Sequence, residues 1–316
     1  MESIEKRKKL IIKSTPACDS NFKFESLRDL IQIPSFTKLD LIKELRTLVY
    51  STLIKIENQD LFKKDTIHPS PIIVLGNQKS GTTAIASLLG KATKKTFAID
   101  PWFQIQNQLD IKSQINLQKQ LYENSGELRH FIEQNKRYFY FDLIKEPNFT
   151  FLDKDVRKCF PQAKFIFINR DPRDNIRSIL NRLKIPGNLD RLSDRQLNSM
   201  TLGWKLVMEG KYPSVPGDNY IERLAYRWNV AADNYLKNPD SIIYITYEDF
   251  LKNKKAIIIS LAEEIGLSIK QDISKHVDIQ YQPKGNNKMS WEEFFGRENL
   301  AKINNICGDK IKIFNY

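Results

Sequence analysis

The sequence contains few of the residues that build disulfide frameworks or metal centres. Among 316 residues there are three cysteines and three histidines. The cysteines, at positions 18, 159 and 307, are far apart and odd in number, which excludes a disulfide framework and a CxxC metal site and is typical of a reducing compartment. Because the histidines share no helical spacing, we expect no metal site in this protein.

Long apolar runs are also missing. No stretch reaches the roughly 18 apolar residues that a membrane-spanning helix requires. The N-terminal segment, MESIEKRKKLIIKS, has no apolar stretch of signal-peptide length. The sequence therefore predicts a cytoplasmic protein without a transmembrane segment, and its 41% hydrophobic and 28% charged residues are ordinary for a globular fold.

Acidic residues are fewer than basic residues in this sequence. Lys and Arg number 50 against 38 Asp and Glu, which gives a formal net charge of +12 at pH 7. A basic protein attracts anions, and nucleic acid, anionic lipid, sulfated glycan and a polyphosphorylated cofactor all fit that description. The charge alone does not choose among them, and a solvated basic surface explains it equally well.

The chain divides into an N-terminal extension and a larger domain. Residues 1–65 are predicted to contain one amphipathic helix, over 37–56, followed by a polar, proline-containing linker. The apolar stripe of this helix is expected to pack against the main domain or, alternatively, to form a homodimer or membrane-surface contact. Residues 66–316 are predicted to form the main domain.

Strand and helix patterns alternate through the larger domain. Short apolar, β-branched runs predict buried strands, with helices between them. The alternation predicts an α/β fold with three layers, α/β/α, around a central, mostly parallel sheet like that of P-loop NTPases. The predicted strands cover 71–76, 96–99, 138–143, 164–169 and 241–247, and the predicted helices follow Gly81 and cover 104–136, 172–183, 220–236 and 255–265.

A glycine-rich turn at 76–83, GNQKSGTT, joins the first predicted strand to a helix. A helix N-terminus offers unpaired backbone N–H groups and a positive dipole end, and glycine lets the backbone approach an anion closely. The hydroxyls of Thr82 and Thr83 add donors, so the turn is predicted to bind phosphate. The nucleoside-triphosphate loop has a lysine directly after its second glycine, whereas here Thr82 takes that place and Lys79 lies inside the loop.

The segment KSGTT at 79–83 resembles the 5′-phosphosulfate loop of the sulfotransferases that use 3′-phosphoadenosine 5′-phosphosulfate (PAPS). The second signature of that family is a strand ending in arginine with a serine eight positions later, which Arg170 and Ser178 match. The resemblance implies that these two residues bind the 3′-phosphate, and the planar donor fork of arginine suits a phosphate dianion. Arg173 and Arg177 lie nearby, either as further cofactor contacts or as surface charges.

The resemblance extends over roughly residues 70–295 and implies the rest of the PAPS site. Tyr247 would contact adenine or, alternatively, pack in the core, and the segment 284–295 resembles the closing loop of the family. The small-molecule branch has a tryptophan after its two threonines, whereas this chain has Ala84, so another residue must stack on adenine. The implied cofactor-binding residues are Gln78, Lys79, Ser80, Gly81, Thr82, Thr83, Arg170, Ser178, Tyr247, Lys284, Gly285 and Ser290.

The resemblance also implies catalytic roles. Lys79 would neutralise the leaving phosphate, and Lys145, in a Lys-x-Pro segment, would face the transferring group from the opposite wall. No histidine matches the base of the small-molecule branch, whereas the tyrosylprotein branch uses a glutamate shortly after the loop. Asp100, 21 residues past Lys79 at a predicted strand end, is the candidate general base or, alternatively, a helix cap. Glu146 is the second candidate.

These observations predict a sulfotransferase that releases adenosine 3′,5′-bisphosphate (PAP) and needs no metal. The expected acceptor is a hydroxyl of a carbohydrate or glycolipid, with a peptidyl tyrosine or small alcohol as the second interpretation. Segments 104–136 and 184–219 are expected to shape the acceptor pocket, with Trp204 and Tyr212 facing a sugar ring or packed in the core. A P-loop kinase or NTPase is one alternative, but this sequence lacks the lysine that follows the second glycine in such enzymes. A non-catalytic nucleic-acid binder is another, but the sequence lacks a motif of interleaved basic and aromatic residues.

Overall fold

The computed structural model describes residues 66–123, 126–279 and 289–316. The helix predicted over 37–56 lies outside these residues, so that helix and the division of the chain at residue 65 stay predictions. In the described ranges, no helix has the length and apolar character that crossing a lipid bilayer requires.

A five-stranded sheet forms the centre of the domain. Its strands are β1 (Ile72–Leu75), β2 (Phe97–Ile99), β3 (Leu143–Lys145), β4 (Lys164–Asn169) and β5 (Ile242–Thr246), in the spatial order β2-β3-β1-β4-β5. Each strand runs parallel to its neighbours. The parallel sheet predicted from the alternation is confirmed, and the strands consist of the Ile, Val, Leu and Phe runs that a sheet covered on both faces requires.

The third strand lies further along the chain than the pattern predicted. Residues 136–138 form a 3₁₀ turn, and β3 begins only at Leu143. The alternating run at 138–143 was misread because its aromatic side chains are buried without belonging to a strand: Phe139 stacks its ring on Phe149 within the core. Buried aromatic residues in a loop can therefore produce the same alternation of apolar and polar residues as a half-buried strand.

Helices connect the strands and cover the sheet. The helical prediction for 172–183 and 220–236 agrees with the structure, and the segment 104–136 contains parts of three helices. The helices are α1 (Thr82–Thr93), α2 (Pro101–Gln106), α3 (Ile111–Glu123), α4 (Glu127–Gln134), α5 (Asp153–Cys159), α6 (Pro172–Leu183), α7 (Asp194–Asn198), α8 (Leu202–Met208), α9 (Tyr220–Leu236), α10 (Tyr247–Lys252), α11 (Lys254–Ile265) and α12 (Trp291–Ile313).

The helices form a layer on each face of the sheet. On one face, Ile73 of β1 and Phe165 of β4 belong to a buried cluster with side chains of α2, α3, α4, α5 and α9. On the other face, α1 packs against β1, β2, β3 and α11. A second cluster joins α6, α8, α9 and α12, with Trp228 fully buried in it. The result is the three-layer α/β/α arrangement that the sequence predicted.

The strand order reverses at β1, since β3 and β2 lie on one side of it and β4 and β5 on the other. In open parallel sheets, ligands bind beyond the carboxyl ends of the strands at such a switch point. The loop after β1 at 76–81 and the residues that follow β4 are therefore brought side by side. The sheet thus places the two sequence signatures, which are far apart in the chain, at one edge.

Candidate active site

A cleft of about 1190 Å³ opens at this edge of the sheet. Its walls come from the segments that follow β1, β2, β3 and β4, and from helices α2, α3, α6 and α8. Lys284 and Gly285 lie outside the described residues. The predicted site residues that line the cleft are Gln78, Lys79, Gly81, Thr82, Thr83, Asp100, Lys145, Glu146, Arg170, Ser178 and Tyr247.

The loop after β1 has a backbone path that depends on two glycines. Gly76 has a φ of 138° and Gly81 a φ of 87°. A Cβ on Gly76 would lie 2.4 Å from the carbonyl oxygen of Ile168, and a Cβ on Gly81 would lie 2.3 Å from the ring of Tyr247. Only glycine permits these close approaches, so the two residues fix the loop against β4 and α10.

Helix α1 begins directly after Gly81. No side chain caps its first N–H groups, and its first turn holds no acidic residue. These N–H groups and the helix dipole make this end of α1 suited to an anion, and Thr82 and Thr83 line the cleft beside it. Ser80 differs from its neighbours because it does not line the cleft, and its buried hydroxyl accepts a hydrogen bond from Asn175 Nδ2 at 3.0 Å.

Arg170, at the end of β4, reaches back to this loop. Its Nη1 donates to the backbone oxygen of Lys79 at 2.9 Å, and its guanidinium lies 4.6 Å from the centre of the Tyr247 ring. The indole of Trp228 donates to the backbone oxygen of Arg170 at 2.9 Å. Both ends of the residue are held, while its buried Nε has no hydrogen-bond partner among the described residues. Arg170 therefore presents a guanidinium to the cleft that is fixed in place before a ligand binds.

Helix α6 presents Ser178 and Arg182 to the same cleft. Residues four positions apart lie on one face of a helix, so the two side chains point in the same direction. Arg182 was not among the residues predicted from the sequence. The signal that could have found it is this four-residue spacing from Ser178.

Besides Ser80, three candidates from the sequence do not line the cleft: Arg173, Arg177 and Ser290. Arg173 pairs with Asp171 and lies 4.1 Å from the centre of the Trp291 ring. Arg177 forms an ion pair with the carboxylate of the residue three positions before it. Ser290 caps helix α12 in a capping box with the third residue of that helix. In this structure all three side chains hold the ends of α6 and α12.

Lys79 belongs to a group of cations. Burial and the positive charges of Arg182, Arg170 and Lys145 lower the pKa of Lys79 to about 8. Like charges gathered in one cleft destabilise one another until an anion shares the space. The cluster is therefore suited to a ligand that carries several negative charges.

Asp100 and Lys145 meet in the same cleft, where β2 and β3 end. Lys145 Nζ donates to Asp100 Oδ1 at 2.6 Å, and the side chain of Lys145 is 5% exposed whereas that of Asp100 is 37% exposed. Asp100 stands at the N-cap of α2, but its side chain makes no capping hydrogen bond. The carboxylate is thus held by a lysine and open to the cleft, which suits a group that takes a proton from a ligand.

Glu146 is 1% exposed. Burial, and then the negative charge of Asp100, raise the pKa of Glu146. One of its carboxylate oxygens accepts from Trp102 N at 2.9 Å, and the other from the backbone and side-chain nitrogens of Asn148. Because both oxygens are engaged, Glu146 joins the start of α2 to the segment after β3.

One part of the cleft lining consists of amides and aromatic rings. The described cleft residues that come from 104–136 and 184–219 carry no charge. Tyr122 and Tyr212 pack with their ring centres 5.3 Å apart. The polar and ring-bearing residues are Gln106, Asn107, Gln114, Gln118, Tyr122, Thr201, Trp204 and Tyr212. Both segments therefore contribute to the lining of the cleft that also contains Lys79 and Lys145.

Residues 71–271 match the sequence profile of the Sulfotransferase family. No curated protein is significantly similar in sequence. The crystal structure of sulfotransferase STF9 from Mycobacterium avium has a TM-score of 0.50 at 12% identity, with 99% of this chain and 97% of that chain covered. The crystal structure of mouse sulfotransferase SULT7A1 complexed with PAP has a TM-score of 0.45 at 13% identity, with 80% and 88% covered.

The profile match includes the loop after β1, strand β4 with Arg170 directly after it, and Tyr247. It spans more than half of the chain and covers every strand of the sheet. The chain therefore belongs to the sulfotransferase family, the enzymes that transfer a sulfuryl group from PAPS.

Proposed function

We propose that this protein binds PAPS across the cleft and transfers its sulfuryl group to a hydroxyl of a glycan. The observation that carries the donor assignment is the meeting of two anion sites in one cleft, the end of α1 beside Lys79 and the group formed by Arg170, Ser178 and Arg182. PAPS has negative charge at two separated positions, its phosphosulfate and its 3′-phosphate. A single phosphate site would not account for the second cluster.

The donor is proposed to lie with its phosphosulfate on the loop of Lys79. Its 3′-phosphate lies at Arg170, Ser178 and Arg182, which line the cleft together and include two guanidinium groups. Tyr247 stands between these positions against Gly81, which supports its role beside the nucleoside. Threonine in place of the lysine that follows the second glycine argues against a kinase or NTPase.

Sulfuryl transfer is in-line, and its catalysis rests on positioning and on stabilising the charge of the leaving group. Lys79, inside the loop, is proposed to stabilise the leaving phosphate. Lys145 is proposed to stabilise the sulfuryl oxygens from the opposite wall. Asp100, ion-paired with Lys145, takes the proton from the attacking hydroxyl.

Asp100 is favoured over Glu146 as the base because of access. Both carboxylates border the cleft. The oxygens of Glu146 are occupied by hydrogen bonds from the start of α2 and from Asn148, whereas a third of the Asp100 side chain is exposed. A base must reach the proton that it abstracts within hydrogen-bond distance, and Asp100 meets that condition more readily.

The uncharged cleft wall formed by residues of 104–136 and 184–219 supports a carbohydrate acceptor. Amides offer both donors and acceptors to hydroxyl groups, and aromatic rings offer flat apolar surface to a sugar. An acidic peptide carrying tyrosine would instead require basic residues on this wall, and the described cleft residues of 104–136 and 184–219 include none. The acceptor is therefore proposed to be a neutral glycan.

An apolar rim beside this wall supports a lipid-linked glycan. Phe103 borders the cleft and is 53% exposed. The chain that follows exposes Leu109, Ile111 and Ile115, with Ile111 at 64%. Exposed apolar residues grouped next to a binding cleft are typical of a surface that meets lipid or another apolar partner. The glycan of a glycolipid would enter the cleft while its lipid meets this rim.

The donor site is tested first with PAP and the Arg170→Ala variant. Loss of a charge-assisted contact should weaken PAP binding by ~1.5–3 kcal/mol, measured by calorimetry in the presence of a chelator. Arg173→Ala is the matched control, because Arg173 pairs with Asp171 outside the cleft. Equal loss in both variants, or no PAP binding by the wild type below millimolar concentration, would contradict the assignment.

The ionisation of Lys79 predicts a pH dependence of PAP binding. The pKa of Lys79 lies at about 8 in the free protein. Above that pH the amine is neutral in the free protein and must take up a proton to pair with the ligand, so the dissociation constant should rise by up to about tenfold per pH unit. Lys79→Arg should abolish this rise between pH 7.5 and 9.5, since guanidinium stays charged. The same slope in both proteins would exclude Lys79 as its source.

Asp100→Asn should reduce turnover by ~10²–10⁴ and leave PAP affinity near that of the wild type, because a base acts on the acceptor proton. Glu146→Gln should instead lower the melting temperature, because an amide cannot accept all the hydrogen bonds that the carboxylate accepts. Turnover and thermal unfolding are measured on both variants. Full turnover by Asp100→Asn, with none by a folded Glu146→Gln, would assign the base to Glu146.

The acceptor is identified with a labelled donor and four acceptors: a neutral glycolipid in mixed micelles, its soluble glycan, a tyrosine peptide and a small alcohol. We expect the highest kcat/KM for the glycolipid and measurable transfer to the glycan. Trp204→Ala should raise the acceptor KM about tenfold without changing PAP affinity, whereas Tyr140→Ala, an aromatic change outside the cleft, should not. Transfer to the peptide alone would overturn the glycan assignment and keep the donor site.

A further inference from the structure

A buried arginine lies behind the phosphate loop and does not line the cleft. Arg227, in α9, is 1% exposed. Its Nη1 donates to Asn77 Oδ1, and its guanidinium lies 3.9 Å from the centre of the Phe151 ring. Its Nε and Nη2 are buried and have no hydrogen-bond partner among the described residues. Within those same residues, no carboxylate forms an ion pair with it.

Such an arrangement is costly in free energy. A buried guanidinium normally has a carboxylate partner or uses most of its five donors. Here burial lowers the pKa of Arg227 to about 10. A hydrophobic side chain of similar volume at this position would cost less in a protein that only had to fold. The charge therefore requires an explanation beyond packing.

Hydrogen bonds connect Arg227 to the loop. Asn77, which accepts from Arg227, donates through Nδ2 to Asn175 Oδ1 at 2.9 Å. The Nδ2 of Asn175 then donates to the backbone oxygen of Gln78 at 2.9 Å and to Ser80 Oγ at 3.0 Å. Asn175, in α6, is fully buried. One connected network from α9 through α6 thus binds the loop at three residues, Asn77, Gln78 and Ser80.

A second set of hydrogen bonds connects helix α9 to the loop. Gly76 N donates to Thr150 Oγ1 at 2.9 Å, and the same hydroxyl donates to the backbone oxygen of Gly76 at 3.2 Å. Asn234, in α9, donates to the backbone oxygen of Thr150 at 2.9 Å. Thr150 lies in the 3₁₀ turn Pro147–Phe151, which also carries the ring beneath Arg227. The position of the loop relative to α9 is therefore fixed from both sides.

We propose that Arg227, Asn77 and Asn175 are positioning residues of the donor site. They hold the loop around Lys79 in its anion-binding conformation, and the uncompensated charge of Arg227 is offset by the phosphosulfate group when the donor occupies the loop. This inference rests on the proposed function, because it takes the loop to be the phosphosulfate site. Arg227 acts through Asn77 and through its charge, without touching the donor.

The proposal predicts that stability and affinity change in opposite directions. Arg227→Met keeps an extended side chain on Phe151 and removes the buried charge. The ligand-free variant should unfold at the temperature of the wild type or above it, because the unpaired charge is gone. Its PAP dissociation constant should rise about tenfold, and PAP should raise its melting temperature less than that of the wild type. The donor KM should rise while the acceptor KM stays unchanged.

Two further variants separate charge from hydrogen bonding. Arg227→Lys keeps the charge and a donor towards Asn77, so most of the PAP affinity should return. Asn77→Ala breaks the network without deleting the charge, should still weaken PAP binding, and serves as the test if Arg227→Met fails to fold. Asn229→Ala is the matched control, since Asn229 lies in the same helix and binds the backbone of Ile306. It should leave PAP affinity at the wild-type value.

The outcomes distinguish this inference from the function on which it rests. A lower melting temperature of Arg227→Met with PAP affinity within twofold of the wild type would make Arg227 a purely structural residue and overturn the inference. Weaker binding in Arg170→Ala, with none of the network variants affected, would do the same and keep the donor site. No PAP binding by the wild type would overturn the donor site and this inference together.

Discussion

The mutual repulsion of cations at one edge of the sheet is the constraint on which the cleft depends. Lys79, Lys145, Arg170 and Arg182 line the same cleft, and burial together with the charges of the other three lowers the pKa of Lys79. The fold opposes this repulsion with fixed partners around the cleft. Arg170 donates to the backbone of the loop, and Lys145 is paired with Asp100. Because the cations are held in place before a ligand arrives, less reorganisation is needed when an anion binds.

Much of the fold and part of the site could be predicted from the sequence. Buried strands of a parallel sheet are continuous apolar runs, so 164–169 was placed correctly, and the loop at 76–83 follows from its glycines. Local pattern could not distinguish β3 from the aromatic loop before it, since Phe139 is buried in both cases. The register of the strands and the geometry of the site depend on contacts between segments that are far apart in the chain. The spacing of residues within one segment does not encode those contacts.

The functional residues likewise differ in whether the sequence alone could identify them. Arg170 and Ser178 were proposed from their resemblance to the family's second signature, which is recognisable because a strand end and the helix after it are adjacent in the chain. Arg173 fits the same local pattern, but its contact with the ring of Trp291 is a tertiary contact that the sequence does not reveal. Arg227 had no sequence signal, because it looks like any polar residue of an amphipathic helix. Only its burial and its contact with Asn77 distinguish it.

The strand order has a consequence for how the chain is made. β1 is the central strand, and one of its two neighbours, β4, is synthesised after β2 and β3. At usual translation rates the interval between β1 and β4 is on the order of ten seconds. During that time the apolar run IIVL cannot complete its pairing, and pairing between distant segments is slow in itself. The nascent chain is therefore exposed to aggregation over this interval, and chaperones that bind short apolar segments would have β1 as a natural target.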